Sequence, residues 1–153
     1  MLSVHEAQQQ ILRHVTPFTQ AELPFEKAYG CVLQEEVLAD RDYPPHNRST
    51  MDGIAISSSV YSQGRRTFAI EGLVKAGDPL FSLKNPEQCF EIMTGALVPD
   101  GCDCVVPVEK VQMVDGEAWL EKENFSPLQN IHVKAADYTA GEILLKSGTR
   151  LTP

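Results

Sequence analysis

The run Arg48-Ser49-Thr50-Met51-Asp52-Gly53-Ile54-Ala55-Ile56 sets two hydroxyls and a carboxylate ahead of a glycine, at the edge of a short apolar stretch. A carboxylate so placed can bind a hard cation such as Mg²⁺, orient a water or accept hydrogen bonds from an amide. A second run, Ile92-Met93-Thr94-Gly95-Ala96-Leu97-Val98-Pro99-Asp100-Gly101-Cys102-Asp103, puts the Thr94 hydroxyl beside the unhindered backbone N–H of Gly95. That pairing suits an oxyanion or a phosphate edge. In both runs glycine lets the backbone approach a ligand closely. The segment Asn130-Ile131-His132-Val133-Lys134-Ala135-Ala136-Asp137 adds an imidazole, an ammonium and a second carboxylate. Each has a plainer reading: Asp-Gly is a common turn pair, and Thr-Gly can simply end a strand.

These groups need rigid elements beneath them. Ser3 and Glu6 match a capping box, and Val4, Ala7, Ile11, Leu12 and Val15 then recur at helical spacing until Pro17 stops the helix. A short helical turn is expected over 25–29, with Gly30 as its left-handed cap. From Cys31 onward the pattern is extended, with Val32-Leu33 and Val37-Leu38 leading into the loop 40–46 that holds Pro44-Pro45. Strands are expected over 53–57, 67–73, 89–93, 104–109, 112–114, 118–121, 131–134, 142–145 and 149–151. Asp115-Gly116 signals a type I′ hairpin, and Ser147-Gly148 joins the last two strands. Ser57-Ser58-Ser59 and Gln63-Gly64-Arg65-Arg66 read as surface loops. Short strands at intervals of roughly 8–12 residues favour a barrel or sandwich over a parallel α/β sheet.

With 42% hydrophobic and 22% charged residues, the 153-residue chain reads as a soluble globular protein with a real core. The net charge of −8 lacks the basic footprint of a nucleic-acid binder. No apolar run approaches the ~18 residues of a membrane span, and the N-terminus lacks a secretory signal pattern, so a cytoplasmic location is expected. Cys31, Cys89, Cys102 and Cys104 complete no zinc pattern and are expected as reduced, packed thiols; Cys102 and Cys104 would share one strand face. His5 and His14 are expected on or near the helix without a ligand, Trp119 as a packed residue, and Glu121-Lys122-Glu123 as a solvated strand end.

In this order the motifs resemble the N-terminal region of the molybdopterin molybdenumtransferase family, MoeA in bacteria and the gephyrin E-domain in animals. The resemblance runs from about Val4 to Pro153. Gly101-Cys102-Asp103-Cys104-Val105-Val106-Pro107-Val108-Glu109 follows the family pattern Gly-x-Asp-x-Val-Val ending in Glu, with Glu109 structural or at the rim. The third segment departs from the usual Asn-Ile-Arg, two variable residues, then Gly-Glu-Asp. His132 stands where arginine is usual, Ala135-Ala136 replace Gly-Glu, and Asp137 is retained. The site thus loses a fixed bidentate cation unless Lys134 substitutes. His46-Asn47 stands where an aromatic residue and Asp or Asn are frequent, and Ile54 replaces a frequent tyrosine.

The resemblance implies a mainly β fold with a short α part. A β-barrel-like domain over 43–137 would be inserted in a small α+β lobe formed by 1–42 and 138–153. It implies Asp52, Thr94 and Asp137 as catalytic residues, with Ser49, Thr50, Gly95, His132 and Lys134 binding substrate and Asp52 a ligand for Mg²⁺. The implied chemistry is insertion of molybdenum from molybdate into adenylylated molybdopterin. In the family the site lies between this β domain and the α/β domain of a partner subunit, a homodimer overall. The anion-binding groups missing from an acidic chain would then come from that domain, and this chain would be an N-terminal piece, inactive alone. A non-catalytic β module for docking or assembly is the alternative; a small barrel binding an oxyanion directly is a third reading, which the acidic charge disfavours.

Overall fold

Gly53–Ile56 is an interior strand, second from one edge of a six-stranded sheet, with all four residues buried. A strand read as half-buried would alternate; this one has apolar partners on both faces. Ile54 and Ile56 point into one core with Phe68, Cys89, Cys104, Val106, Ala118 and Leu120. Ala55 points into a second core with Val74, Phe90, Ile92, Ala96, Val98, Val105 and Ile131. Each fully buried isoleucine contributes about 1.5–3 kcal/mol relative to an exposed one.

The computed structural model describes residues 2–16 and 18–152. In chain order the elements are α1 (Val4–Arg13), a 3₁₀ turn (Phe25–Lys27), β1 (Val37–Leu38), β2 (Arg48–Ser49), β3 (Gly53–Ile56), α2 (Ser58–Ser62), β4 (Thr67–Val74) and β5 (Gln88–Ile92). They continue as β6 (Cys104–Pro107), a second 3₁₀ turn (Val108–Lys110), β7 (Val111–Val114), β8 (Glu117–Leu120), β9 (Ile131–His132) and β10 (Ile143–Leu145). The six-stranded sheet has the order β6-β3-β5-β4-β8-β7 and curls into a half-barrel. Its pairs are antiparallel except β4 with β5. The fold of the described residues is mainly β with a short α part, as the resemblance implies.

The chain divides into Met1–Val37 with Leu144–Pro153, and Leu38–Ile143. These limits lie outside the expected 42/43 and 137/138. Backbone bonds from Ala39 to Glu142 and Gly141, and from Tyr43 to Tyr138, tie both flanks into the barrel unit. In the smaller unit the Ser3–Glu6 capping box forms at the start of α1. The apolar stripe of α1 is uncovered, with Val4 86% and Ile11 68% exposed. Gly30 adopts φ +79° as expected of a left-handed cap. The expected strand over 149–151 is reduced to a bridge between Val32 and Arg150, and the expected stop at Pro17 lies outside the described residues.

Three expectations for the barrel unit are corrected. Ser57-Ser58-Ser59 opens α2 instead of forming a surface loop. The Asp103 carboxylate accepts the Ser58 N–H at 2.6 Å and the Ser58 hydroxyl at 2.7 Å, satisfying the first turn from a distant segment. Tyr61 then enters the first core, its hydroxyl 2.8 Å from the carbonyls of Glu121 and Glu123. Trp119 does not pack inward: β8 buries Ala118 and Leu120, and period-two alternation leaves Trp119 52% exposed. The strand expected over 104–109 ends at Pro107, where the chain turns into a 3₁₀ turn holding exposed Glu109. Asp115 (φ 50°) and Gly116 (φ 80°) form the expected tight turn between β7 and β8.

Candidate functional site

Strand β2 organises the site. Its Ser49 side chain is 3% exposed, which leaves Arg48 and Thr50 on the outer side. Along one flank runs the 94–97 turn: Ser49 N–H donates to Ala96 O at 2.9 Å, and Gly95 N–H donates to Ser49 O at 2.8 Å. Along the other flank lies β9, antiparallel, with Arg48 opposite His132 and Ser49 opposite Ile131. Ala96, Val98 and Ile131 anchor both flanks in the second core, so the polar side chains stand on its rim.

Asp52 and Thr94 form the first polar pair. Asp52 Oδ1 accepts the Thr94 N–H at 2.6 Å and the Thr94 hydroxyl at 2.8 Å. The backbone N–H, then the hydroxyl, holds the exposed Asp52 carboxyl below its ordinary value of 3.8. Oδ2 has no hydrogen bond among the described residues and remains available to a ligand. His132 and Asp137 form the second pair, Nε2 to Oδ1 at 3.0 Å, with both side chains partly exposed. With Nε2 donating, Nδ1 is the ring nitrogen without a partner among the described residues. Asp137 is itself fixed by its N–H, which donates to Tyr43 O at 2.9 Å.

Several expected binding roles meet a different geometry. The Ser49 hydroxyl is buried and closes the 49–51 turn against the Met51 backbone, so it does not face a ligand. The Gly95 N–H is consumed by Ser49 O and is not free for an oxyanion. Lys134 Nζ lies 3.2 Å from Asp42 Oδ2, and its N–H donates to Asn47 Oδ1 at 2.8 Å. The Asp42 carboxyl is held below 3.8, first by the Ala140 N–H and then by Lys134. Thr50, by contrast, is exposed on the rim, its N–H bonded to Asn130 O at 3.0 Å.

Gly53 serves the scaffold, not ligand approach. A Cβ there would sit 1.9 Å from Val106 O, so only glycine lets β3 lie this close to β6. Ala135 keeps φ +61°, a left-handed conformation that favours glycine, while its N–H donates to Pro44 O at 3.0 Å. Asn47, Asn130 and Asp103 are positioning residues that sequence reasoning missed. Asn130 holds φ 57° and donates from Nδ2 to Val105 O at 2.8 Å, a role that asparagine's tolerance of the left-handed region could have suggested. Asn47 and Asp103 act across long sequence separations, and no local signal marks them.

For a metal the chain offers little by itself. Among the described residues no three His, Cys, Asp or Glu side chains gather around a common point. Mg²⁺ bound to a phosphorylated substrate takes one or two carboxylates and keeps several waters, so the free Oδ2 of Asp52 fits as a single ligand. No helix among the described residues is long and apolar enough to cross a membrane.

The curled mixed sheet thus carries a carboxylate–hydroxyl pair and a histidine–carboxylate pair on either side of a two-residue strand. The profile of the MoeA N-terminal region (domain I and II) matches residues 2–153, and the chain belongs to this family. It is 41% identical over 152 residues to a Synechocystis protein named molybdopterin molybdenumtransferase, covering 99% of this chain and 39% of that protein. A Staphylococcus aureus protein of the same name is 30% identical, with 99% and 37% covered. A crystal structure of the molybdopterin biosynthesis MoeA protein of Pyrococcus horikoshii superposes with a TM-score of 0.77 at 30% identity, over 85% of this chain and 34% of that one. The chain thus spans under two-fifths of the length of these curated relatives.

Proposed function

We propose that this chain forms one side of a composite active site in molybdenum cofactor biosynthesis, at which molybdenum from molybdate enters adenylylated molybdopterin. The observation that carries the reading is Asp52, ionised, fixed by Thr94 and left with a free oxygen on an exposed rim. Asp52 holds its negative charge at a fixed position, and Thr94 acts as a positioning residue that prevents the carboxylate from rotating. His132, oriented by Asp137, presents its second nitrogen to the same rim as a hydrogen-bond partner for substrate. Bound Mg²⁺ would neutralise charge on a pyrophosphate group and polarise it towards cleavage. The opposing wall, with the remaining anion-binding groups, belongs to an α/β domain outside this chain, contributed by the partner in a homodimer.

The test is complementation of cells lacking molybdopterin molybdenumtransferase with a full-length protein containing this region. Asp52→Ala is expected to abolish cofactor synthesis while the protein remains folded. Unchanged synthesis would refute the catalytic reading. The isolated chain is expected to show no turnover with Mg²⁺, molybdate and adenylylated molybdopterin. A second reading, a module for assembly, draws on the uncovered apolar stripe of α1; it predicts that Asp52→Ala has no effect.

A further inference from the structure

Most cationic and N–H donors around β2 are already committed. Thr94 gives its N–H and hydroxyl to Asp52, and Gly95 gives its N–H to Ser49 O. Lys134 is held by Asp42 and Asn47. The arginines of the barrel unit are committed too, with one exception. Arg41 pairs with Asp40, Arg65 with Glu87, and Arg66 donates to the Tyr61 and Arg65 carbonyls while lying over the Tyr61 ring. Arg48 is exposed and has no hydrogen bond or ion pair among the described residues.

Its position is defined by its backbone. On one side Arg48 bridges Leu97 of the Thr94 turn; on the other it stands directly opposite His132. Directly opposed residues on an antiparallel pair share a face, their Cβ atoms about 4.5–5.5 Å apart. The alternation that buries Ser49 puts Thr50 on that face as well, its hydroxyl without a hydrogen bond among the described residues. An uncommitted guanidinium, an imidazole and a hydroxyl therefore share one exposed face at the rim of a chain whose net charge is −8. Of the acidic groups nearest in the chain and its pairings, Asp137 is paired with His132, while Asp52 is held by Thr94 on one oxygen and keeps the other free.

We propose that Arg48, with His132 and Thr50, forms an anion subsite that takes a tetrahedral oxyanion, as found in the phosphate of an organic substrate or in free molybdate. The planar guanidinium supplies two parallel donors to two oxygens, which an ammonium cannot reproduce. The Thr50 hydroxyl donates a further contact, and His132 donates from Nδ1 in its protonated form, in which Nε2 keeps its bond to Asp137. The identity of the anion rests on the composite-site reading; the subsite itself rests on the register of β2 with β9.

The experiment is titration of the 153-residue chain with inorganic phosphate at constant ionic strength, following the His132 ring resonances by NMR. Saturable shifts are expected with phosphate and not with chloride. Arg48→Gln is expected to weaken binding about tenfold or more, the loss of a charge-assisted hydrogen-bond pair. Arg48→Lys should recover only part of that affinity, and His132→Gln should weaken binding independently. Both Arg48 variants alter an exposed side chain whose backbone makes the ladder bonds, and an unchanged NMR fingerprint establishes that they fold. Equal phosphate affinity in the parent and Arg48→Gln, or shifts that chloride reproduces, would overturn the proposal. Parallel titrations with adenosine 5′-monophosphate and molybdate separate the sources: tighter nucleotide binding assigns an organic phosphate, tighter molybdate binding the free oxyanion. If Asp52→Ala spares cofactor synthesis while phosphate still binds through Arg48, the composite-site reading falls and the subsite stands.

Discussion

Thr94 grips a single oxygen of Asp52 from two directions, with its N–H at 2.6 Å and its hydroxyl at 2.8 Å. The residue that looks like a binding group in the sequence is therefore the clamp, and the aspartate is what it clamps. Thr94→Val removes the hydroxyl and keeps the N–H, so the Asp52 pKa is expected to rise toward 3.8 without reaching it. The depressed pKa stabilises the fold above the unfolded value, and that contribution is lost as pH falls through the still lower folded value. The stability advantage of parent over variant should therefore be complete above pH 3.8 and fade in acid as both carboxyls are protonated; its size follows from the gap between their two folded pKa values. Carboxyl NMR titration of both proteins measures it.

Gly53→Ala is expected to break the β3–β6 ladder. A methyl group 1.9 Å from the Val106 carbonyl oxygen has only backbone to push against. The strands must separate where Gly53 faces Pro107, and the loss should exceed about 3 kcal/mol. Denaturant unfolding of parent and variant measures the difference.

Ala135→Gly carries the opposite sign. At φ +61° the alanine Cβ crowds the backbone, a cost of roughly 1–2 kcal/mol that glycine avoids. Glycine's greater freedom in the unfolded chain offsets part of the gain. A net stabilisation of about 0.5–1 kcal/mol is expected, seen as a higher denaturation midpoint with an unchanged slope.

The cysteines should divide by reactivity. Burial pushes the Cys89, Cys102 and Cys104 thiols up to about 12; beside Cys102 the charges of Cys89, Asp103 and Glu71 add to burial. Without thiolate at pH 8 these three should resist alkylation in the folded protein. Cys31, partly exposed in a groove of about 510 Å³ lined also by Gln20, Leu23 and Leu33, should be labelled first. Mass spectrometry after a short iodoacetamide pulse reads the order.

Legibility in the sequence followed the range of the forces involved. Local signals were readable: the Ser3–Glu6 box, the Gly30 cap and the Asp115-Gly116 turn all depend on residues a few positions apart. The apolar runs located β3, β4, β5 and β6 within a residue or two. What failed locally was decided from afar. Ser57-Ser58-Ser59 becomes helical because Asp103 supplies a cap and Tyr61 a buried anchor. Trp119 faces outward because the register of β8 gives the inner face to Ala118 and Leu120. At the site, Asp52, Thr94, His132 and Asp137 were identifiable as types. Their pairing, and the inward turn of Ser49, follow from the order in which β2, β9 and the 94–97 turn come together.

Near its two ends the barrel unit is fastened to itself: Ala39 N–H donates to Glu142 O, and Gly141 N–H to Ala39 O, each at 2.8 Å. A segment that leaves and rejoins its host through neighbouring strands behaves as a graft. Joining residue 38 to 143 by a short flexible linker, and opening the chain at the exposed Asp115-Gly116 turn, would give a circular permutant that keeps every pairing of the six-stranded sheet and the β2–β9 pair, and gives up only the pairing of β1 with β10.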